Sequence, residues 1–218
     1  MHEIGTRAVI SGGEGDLANS IATHLIEQGF EVKTPGRAQL DVTQGDSIRE
    51  YFMLHQADLL ICNAGITSDS PLIHLTESQW DEVLAVNLRG SIRCAAAAIE
   101  SMKGRGGGSI VLISSYSAIH PPIGQSAYAT AKAALLGYIK ELAAETGKHN
   151  VRVNAILPGF LDTQMTKTVR KQRKEEILEE HSLQRFNTKQ AVASFICFLH
   201  QQLPHTSGQV FQLDSRLQ

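Results

Sequence analysis

The sequence predicts an α/β fold in which helices cover both faces of one parallel sheet. Short apolar runs, each stopped by small or polar residues, alternate with helical patterns, which is typical of βαβ units. The apolar runs lie at about 8–10, 30–33, 58–62, 109–114 and 151–156. The helical patterns lie at about 17–29, 45–56, 78–102, 126–147, 171–181 and 188–202. A length of 218 residues without an internal repeat or linker predicts one domain, residues 1–218.

The connection after the second apolar run constrains the topology. Pro35-Gly36 ends that run, and only Ala38-Gln39-Leu40 separate Arg37 from Asp41. A parallel crossover requires a dozen or more residues. We therefore expect a reduced or missing third, edge strand and no helix after the second strand.

Composition and charge exclude several classes of protein. A net charge of −2 and a pI near 6.5 lack the basic excess typical of nucleic-acid binding. No apolar run approaches the roughly 18 residues of a membrane span, and the first residues show no signal-peptide pattern, so we expect a cytoplasmic protein. The three cysteines have no disulfide or zinc spacing, and we expect no metal site. Six histidines are expected on the surface or in loops: His74, His120, His149, His181, His200 and His205.

A glycine-rich turn separates the first strand from the first helix. Its sequence is Ser11-Gly12-Gly13-Glu14-Gly15-Asp16-Leu17-Ala18. Glycines there let the backbone approach the phosphates of a dinucleotide, and the helix N-terminus offers unpaired N–H groups. An ordinary tight βα turn is the alternative. Asp16 fits phosphate binding poorly, because a carboxylate repels phosphate, and it could instead cap the helix.

The segment after the second strand bears on the adenosine end of such a dinucleotide. Arg37 follows Gly36, and no acidic residue ends the strand. A carboxylate at this point binds the ribose 2′-hydroxyl, whereas an arginine accommodates a 2′-phosphate. Arg37 therefore favours NADP over NAD, the alternative being a solvated surface arginine. Asp41-Val42 could place a carboxylate near the adenine, or Asp41 could cap the following helix.

Three residue types suited to carbonyl reduction occur in a defined order. Tyr128 and Lys132 are four residues apart in a helical pattern and share one helix face, while Ser115 ends an apolar strand. An ammonium group lowers the pKa of a neighbouring phenol from about 10, and a serine hydroxyl can hold a carbonyl oxygen. Tyr-x-x-x-Lys alone is often a chance spacing. Asn87 interrupts a helical pattern, which indicates a local distortion or a side-chain role.

The sequence resembles the short-chain dehydrogenase/reductase family over nearly its whole length. The segments that carry the resemblance are Ser11 to Ala18, Asp41-Val42-Thr43, Cys62-Asn63-Ala64-Gly65, Asn87, Ser115, Tyr128-Ala129-Thr130-Ala131-Lys132 and Pro158-Gly159-Phe160-Leu161-Asp162-Thr163. Within the family it is most similar to the 3-oxoacyl-(acyl-carrier-protein) reductases, through Pro158 to Thr166 and Ser207 to Phe211. It departs from the family at Asp16 and Ala18, where glycines are usual, and at Leu213 to Arg216, where paired glycines are common.

The resemblance implies a Rossmann-type, doubly wound fold and an NADP(H)-dependent reduction of a ketone to a secondary alcohol, the ketone being a 3-oxoacyl thioester. Tyr128 would be the acid, Lys132 would lower its pKa and bind the nicotinamide ribose, Ser115 would orient the carbonyl, and Asn87 would support a water relay to Lys132. The cofactor would contact Ser11, Gly12, Gly13, Gly15, Asp16, Leu17, Arg37, Asp41, Val42, Asn63, Ala64, Gly65, Tyr128, Lys132, Pro158, Gly159, Phe160 and Thr163.

Partners and alternatives complete the prediction. The alanine-rich helical stretches and the resemblance imply a homo-oligomer, a dimer or tetramer. The charged stretch at about 163–185 is either a solvated helix or a substrate lid whose basic end meets an acidic acyl carrier protein. One alternative function is the same chemistry on a sugar, a cyclic substrate or another alcohol or ketone, and another is a non-catalytic, cofactor-binding regulatory protein. A methyltransferase has no use for a Tyr–Lys pair.

Overall fold

The computed structural model describes residues 5–217, whose strands form one six-stranded parallel sheet. The strands in chain order are β1 (Arg7–Ser11), β2 (Glu31–Lys33), β3 (Leu59–Cys62), β4 (Gly108–Ile113), β5 (Val151–Leu157) and β6 (Val210–Gln212). Their spatial order is β2-β1-β3-β4-β5-β6, with every neighbouring pair parallel. The order reverses at β1 and β3, which opens a crevice at the carboxyl ends of the strands, where open α/β sheets bind ligands.

Helices cover both faces of the sheet and enclose two apolar cores. In the described part of the chain they are α1 (Asp16–Glu27), α2 (Gly45–Leu54), α3 (Glu77–Leu84), α4 (Ser91–Lys103), α5 (Ser126–Thr146), α6 (Lys171–Glu179) and α7 (Lys189–Gln202). One core joins the sheet to α2, α4 and α5, and the other joins it to α1 and α7. Successive strand residues point to opposite faces, so Val9 enters the first core and Ile10 the second. The three-layer α/β prediction is confirmed.

The edge of the sheet at β2 also agrees with the sequence prediction. Between β2 and α2 the described residues contain no further strand and no helix. The chain instead turns at 36–39, where Leu40 donates its main-chain N–H to Gly36 O at 3.0 Å. The short gap before Asp41 therefore leaves no room for a further strand, and β2 forms the edge of the sheet, as the sequence predicts.

Two features of the fold refine the predicted elements. The helical pattern at 78–102 is divided, because a π-helical turn at Ala85–Gly90 lies between α3 and α4. Asn87 lies in that turn, so the predicted distortion is confirmed. Strand β6 was outside the apolar runs, since it has three residues and none of them is fully buried. In the described residues no helix is long and apolar enough to cross a membrane.

Two histidines expected on the surface or in loops are buried, which corrects that prediction. His181 is fully buried, with Nδ1 2.7 Å from Ile177 O, and His200 is 3% exposed, with Nε2 2.9 Å from Gly5 O. His200 also makes an edge contact with the ring of Phe30. A neutral imidazole can be buried when main-chain carbonyls satisfy its N–H, and sequence spacing does not report such partners.

Candidate active site

A cleft of about 1330 Å³ runs along the carboxyl edge of the sheet. It is continuous from the glycine turn, past the ends of β3, β4 and β5, to α5 and α6. Most of the predicted site residues line it together: Gly12, Gly15, Asp16, Leu17, Arg37, Asp41, Val42, Asn63, Ala64, Gly65, Ser115, Tyr128, Lys132, Pro158, Gly159, Phe160 and Thr163. Ser11, Gly13 and Asn87 are buried behind the lining.

The glycine turn packs closely on the loop after β3. Gly12 has a φ of +67°, and a Cβ there would lie 2.7 Å from the Cα of Ala64. Ser11 Oγ accepts main-chain N–H groups from Asn63 at 3.2 Å and Ala64 at 3.3 Å. A Cβ on Gly13 would collide with the carbonyl of Thr34. Only glycine suits these positions, which leaves main chain exposed at the N-terminal end of α1, where a pyrophosphate can approach.

Asp16 does not cap α1, which corrects one sequence interpretation. Gly15 is the N-cap residue, and no side chain caps the helix there. Asp16 is the first residue of α1, and its Oδ2 accepts the main-chain N–H of Gln164 at 2.6 Å. The carboxylate therefore reaches across the cleft to the segment after β5, close to the main chain that a pyrophosphate would use.

The end of the cleft near β2 carries mixed charge. Arg37 is exposed, and its Nε lies 3.2 Å from Asp41 Oδ2. Asp41 is not the cap of α2, which begins after Gln44; it closes a local turn by accepting the N–H and hydroxyl of Thr43 at 2.9 and 2.7 Å. The hydrogen bond from Thr43 is the main cause of the lowered pKa of Asp41. Arg37 can leave this exposed pair at small cost to meet another anion.

Ser115 and Tyr128 meet where β4 ends and α5 begins. Both side chains line the cleft. Burial raises the pKa of Tyr128, interaction with the neighbouring Ser115 hydroxyl lowers it and the charge of Asp69 raises it, with a net rise. The phenol is therefore protonated at neutral pH, which is the form that can donate a proton.

Lys132 lies one helical turn after Tyr128 and is 3% exposed. Its Nζ donates to Ile113 O at 2.8 Å and lies 5.6 Å from the centroid of the Tyr128 ring. Burial lowers the pKa of Lys132 to about 8. The ammonium and amine forms are thus both accessible near neutral pH, beside the phenol.

Asn87 has a side-chain oxygen without a hydrogen-bond partner among the described residues, and this oxygen lies near Lys132. Its Nδ2 donates to Ile66 O and Val83 O, both at 2.9 Å, whereas the buried Oδ1 has no hydrogen-bond partner among the described residues. A Cβ built on Gly65 would lie 2.8 Å from Asn87 Oδ1 and 3.7 Å from Lys132 Nζ. Gly65 therefore leaves space between an orphaned acceptor and the lysine, and a small polar molecule would satisfy that acceptor.

The opposite end of the cleft contains two residues, Tyr116 and Arg216, that the sequence interpretation did not assign, and one, His120, in the segment 117–125 expected to form the pocket wall. Tyr116, His120 and Arg216 line this part of the cleft. The Arg216 guanidinium carbon lies 3.3 Å from the centroid of the Tyr116 ring, and His120 stacks on the same ring at 4.7 Å. Tyr116 could have been found from its position beside Ser115. Arg216 carries no sequence signal, since the fold alone brings it to Tyr116.

The family comparison agrees with this geometry. A family model described as enoyl-(acyl carrier protein) reductase matches residues 1–215. The chain belongs to the short-chain dehydrogenase/reductase family, and it is an oxidoreductase that acts on CH–OH groups with a nicotinamide cofactor.

Individual relatives cover most of the chain. It is 32% identical over 216 residues to a 3-oxoacyl-(acyl-carrier-protein) reductase of Aquifex aeolicus, spanning 96% of this chain and 86% of that protein. It is 34% identical over 212 residues to the protein of the same description from Thermotoga maritima, spanning 93% and 85%. An acetoacetyl-CoA reductase of Synechocystis sp. is 33% identical over 199 residues, spanning 91% and 80%.

Proposed function

We propose that this protein reduces the 3-keto group of a 3-oxoacyl thioester to a secondary alcohol with NADPH. The observation that carries the proposal is that Ser115, Tyr128 and the buried Lys132 line one cleft together with the glycine turn. The descriptions of the relatives, two of which are named for 3-oxoacyl groups and one for acetoacetyl-CoA, favour a thioester over a sugar or cyclic ketone.

The cleft fits a nicotinamide dinucleotide in most respects. The close contact of Gly12 with Ala64 leaves main chain free for a pyrophosphate, and the cleft extends unbroken from there to Tyr128. Arg37 would meet the 2′-phosphate of NADPH after leaving its exposed pair with Asp41. When bound, the reduced nicotinamide supplies a hydride to the ketone carbon.

Proton transfer is the task of Tyr128. Its phenol is held protonated by burial, and it donates that proton to the ketone oxygen as negative charge develops there. The Ser115 hydroxyl donates a second hydrogen bond to the same oxygen, which fixes the carbonyl and stabilises the developing alkoxide. A ketone oxygen positioned between both hydroxyls meets the geometric requirement of a general acid and an oxyanion donor.

Lys132 and Asn87 would restore the proton. An ammonium with a pKa of about 8 would return a proton to the Tyr128 phenolate, because burial raises the pKa of the phenol above its usual value of about 10 and transfer in that direction is downhill. A water held by the orphaned Oδ1 of Asn87 in the space above Gly65 would connect the lysine to solvent. The lysine would also bind the nicotinamide ribose.

The remaining parts of the proposal concern access and assembly. Residues 163–185, which include α6, would act as a lid, since Thr163, Arg170, Arg173 and Ile177 line the cleft. The basic end of this segment would meet an acidic acyl carrier protein. We further propose a single catalytic domain, a cytoplasmic location and a homo-oligomer of two or four chains.

The experiment follows the oxidation of NADPH and of NADH with acetoacetyl-CoA as substrate. We expect turnover with NADPH that falls by about two orders of magnitude or more in Tyr128→Phe without loss of cofactor binding. Tyr138→Phe is the matched control, because Tyr138 lies on the same helix but outside the cleft lining. Full activity in Tyr128→Phe would exclude the mechanism.

Cofactor choice is tested separately. Arg37→Ala is expected to raise the KM for NADPH and leave that for NADH unchanged, with Arg49→Ala, an exposed arginine of α2, as control. Equal effects on both cofactors would contradict the role of Arg37. Cofactor binding without reduction of any thioester or ketone would favour the regulatory alternative.

A further inference from the structure

The residues that line the cleft on its substrate side differ widely in exposure. Ile123 is 99% exposed and Arg216 is 9% exposed, and from this difference we infer that Ile123 lies at the mouth and Arg216 at the inner end. In a thioester substrate the carrier is far too large to enter and must stay at the mouth. The tail of the acyl group therefore extends inward from the ketone at Ser115 and Tyr128, towards Arg216.

Charged groups form the inner end. Arg216 donates from Nε and Nη2 to Asp214 Oδ2 at 2.7 and 2.6 Å, and the Asp214 side chain is fully buried. The guanidinium plane also covers the ring of Tyr116, with its carbon 3.3 Å from the ring centroid. Glu180 at the end of α6 lies 3.8 Å from Arg216 Nη1. The acyl tail thus meets a buried ion pair backed by an aromatic ring.

Arg216, Asp214 and Tyr116, here called the wall, are fixed to the rest of the site. Arg216 pairs with His181 in an isolated antiparallel bridge, and Ser182 donates its main-chain N–H to Ser215 O at 3.0 Å. Gln212 Nε2 donates to Asp214 Oδ1 at 2.8 Å. Tyr116 directly follows Ser115 in the chain. Arg216 is therefore held by main-chain contacts to the residues after α6, and Tyr116 is held beside Ser115 by the chain itself.

We propose that Arg216 sets the length of the acyl group and restricts the enzyme to short 3-oxoacyl thioesters. This inference rests on the proposed function. A longer chain would have to separate Arg216 from Asp214 and remove the guanidinium that neutralises this buried carboxylate, which is strongly unfavourable. Ile119 and Ile177 also line the cleft and would contact the apolar tail of a short acyl group.

The first test uses the unmodified protein and a series of 3-oxoacyl thioesters on one carrier. We expect kcat/KM to fall roughly tenfold or more from the 3-oxobutanoyl to the 3-oxooctanoyl compound, because extra methylenes have no space at a rigid wall. Values that are equal or rise with length would overturn the inference but leave the proposed function standing. Absence of turnover on every thioester would overturn both.

The second test replaces Arg216 and so changes the wall. Arg216→Ala is expected to bring the ratio of kcat/KM for the 3-oxooctanoyl substrate to that for the 3-oxobutanoyl substrate at least severalfold closer to one. Destabilisation of the protein alone would not produce this change. Arg216→Lys retains a cation beside Asp214 and should keep the preference for the short substrate. Arg185→Ala, which removes an exposed arginine outside the cleft lining, is the matched control. A folded Arg216→Ala protein with an unchanged ratio would overturn the inference, and if that variant does not fold the chain-length series decides alone.

Discussion

The main-chain N–H of Gln164 donates a 2.6 Å hydrogen bond to the carboxylate of Asp16, 148 positions earlier in the chain. The contact joins the first turn of α1 to the segment after β5 across the cleft. A carboxylate is tolerated there because the N-terminal end of a helix is partially positive. The same partial charge would attract the pyrophosphate of a cofactor, so Asp16 competes with the ligand that the turn would bind.

Asp16→Asn is therefore expected to tighten NADPH binding. Removing one negative charge near the phosphates should lower the Kd about threefold at low ionic strength, and less at high salt. Titration by the fluorescence of the reduced nicotinamide measures this. Asp46→Asn, on the exposed first turn of α2, serves as the control. A Kd that is unchanged or higher in Asp16→Asn would contradict the competition.

Gly65→Ala is expected to reduce turnover by about tenfold or more. The added Cβ would lie 2.8 Å from Asn87 Oδ1, so either the asparagine or the lysine beyond it must shift. Steady-state kinetics and thermal melting together separate a catalytic effect from unfolding. Gly137→Ala on α5 is the control, since a Cβ there meets nothing within 4 Å. Normal kcat in a folded Gly65→Ala protein would argue against a proton path through the space between Asn87 Oδ1 and Lys132 Nζ.

Asp58 links β1 to the turn after α4, at the end of the sheet away from the cleft. It accepts Arg7 Nε and Nη2 at 2.9 Å and also pairs with Arg105. Burial would raise the pKa of Asp58, but the hydrogen bonds from Arg7 and Arg105 outweigh burial and lower it. A depressed carboxyl pKa contributes stability that is present above the unfolded pKa, near 4, and is lost as the pH falls below it.

Asp58→Asn should consequently lower the free energy of unfolding by about 2 kcal/mol at pH 7. The difference from the unmodified protein should shrink as the pH falls below about 4, because Asp58 is then neutralised by protonation. Urea unfolding at several pH values measures both effects. Asp46→Asn, which removes an exposed pair with Arg49, should change stability little. A constant difference across this pH range would refute the linkage.

Local sequence patterns predicted most of the fold because they depend on neighbouring residues. The short gap before Asp41 predicted the missing edge strand, and Asn87 within a helical pattern predicted the distorted turn. Strand β6 was not predicted because its three residues are all at least partly exposed and form no apolar run. The alternation of strands and helices predicted the parallel sheet with helices on both faces, but not the order of its strands.

The contacts that the sequence did not predict join distant parts of the chain. Asp16 looked like a helix cap because its partner, Gln164, is 148 residues away. Arg216 had no assigned role, since nothing near it in the sequence indicates stacking on Tyr116. His200 was expected to be exposed because its contact is distant in the sequence. Its Nε2 lies 2.9 Å from the main-chain oxygen of Gly5, 195 residues away. Such partners are chosen by the tertiary fold and leave no local spacing to detect.

Lys132 combines a functional position with an energetic cost. Burial lowers its pKa from 10.5 to about 8. Below pH 8 the protein therefore buries a charge at a cost of about 3 kcal/mol, and this cost disappears as the pH rises from 8 to 10.5, where only the unfolded chain still binds the proton. Part of the cost is offset by the hydrogen bond to Ile113 O.

Lys132→Met should for this reason abolish most turnover and yet raise the melting temperature by about 5 °C at pH 7. The thermal gain should shrink towards pH 10, where the lysine of the folded protein is already neutral and methionine removes no buried charge. Thermal melts at the two pH values measure the difference. Lys140→Met, an exposed lysine of α5, is the matched control and should show neither the gain nor its pH dependence. A melting temperature that falls at pH 7, or rises equally at both, would show that Lys132 is not held at an energetic cost.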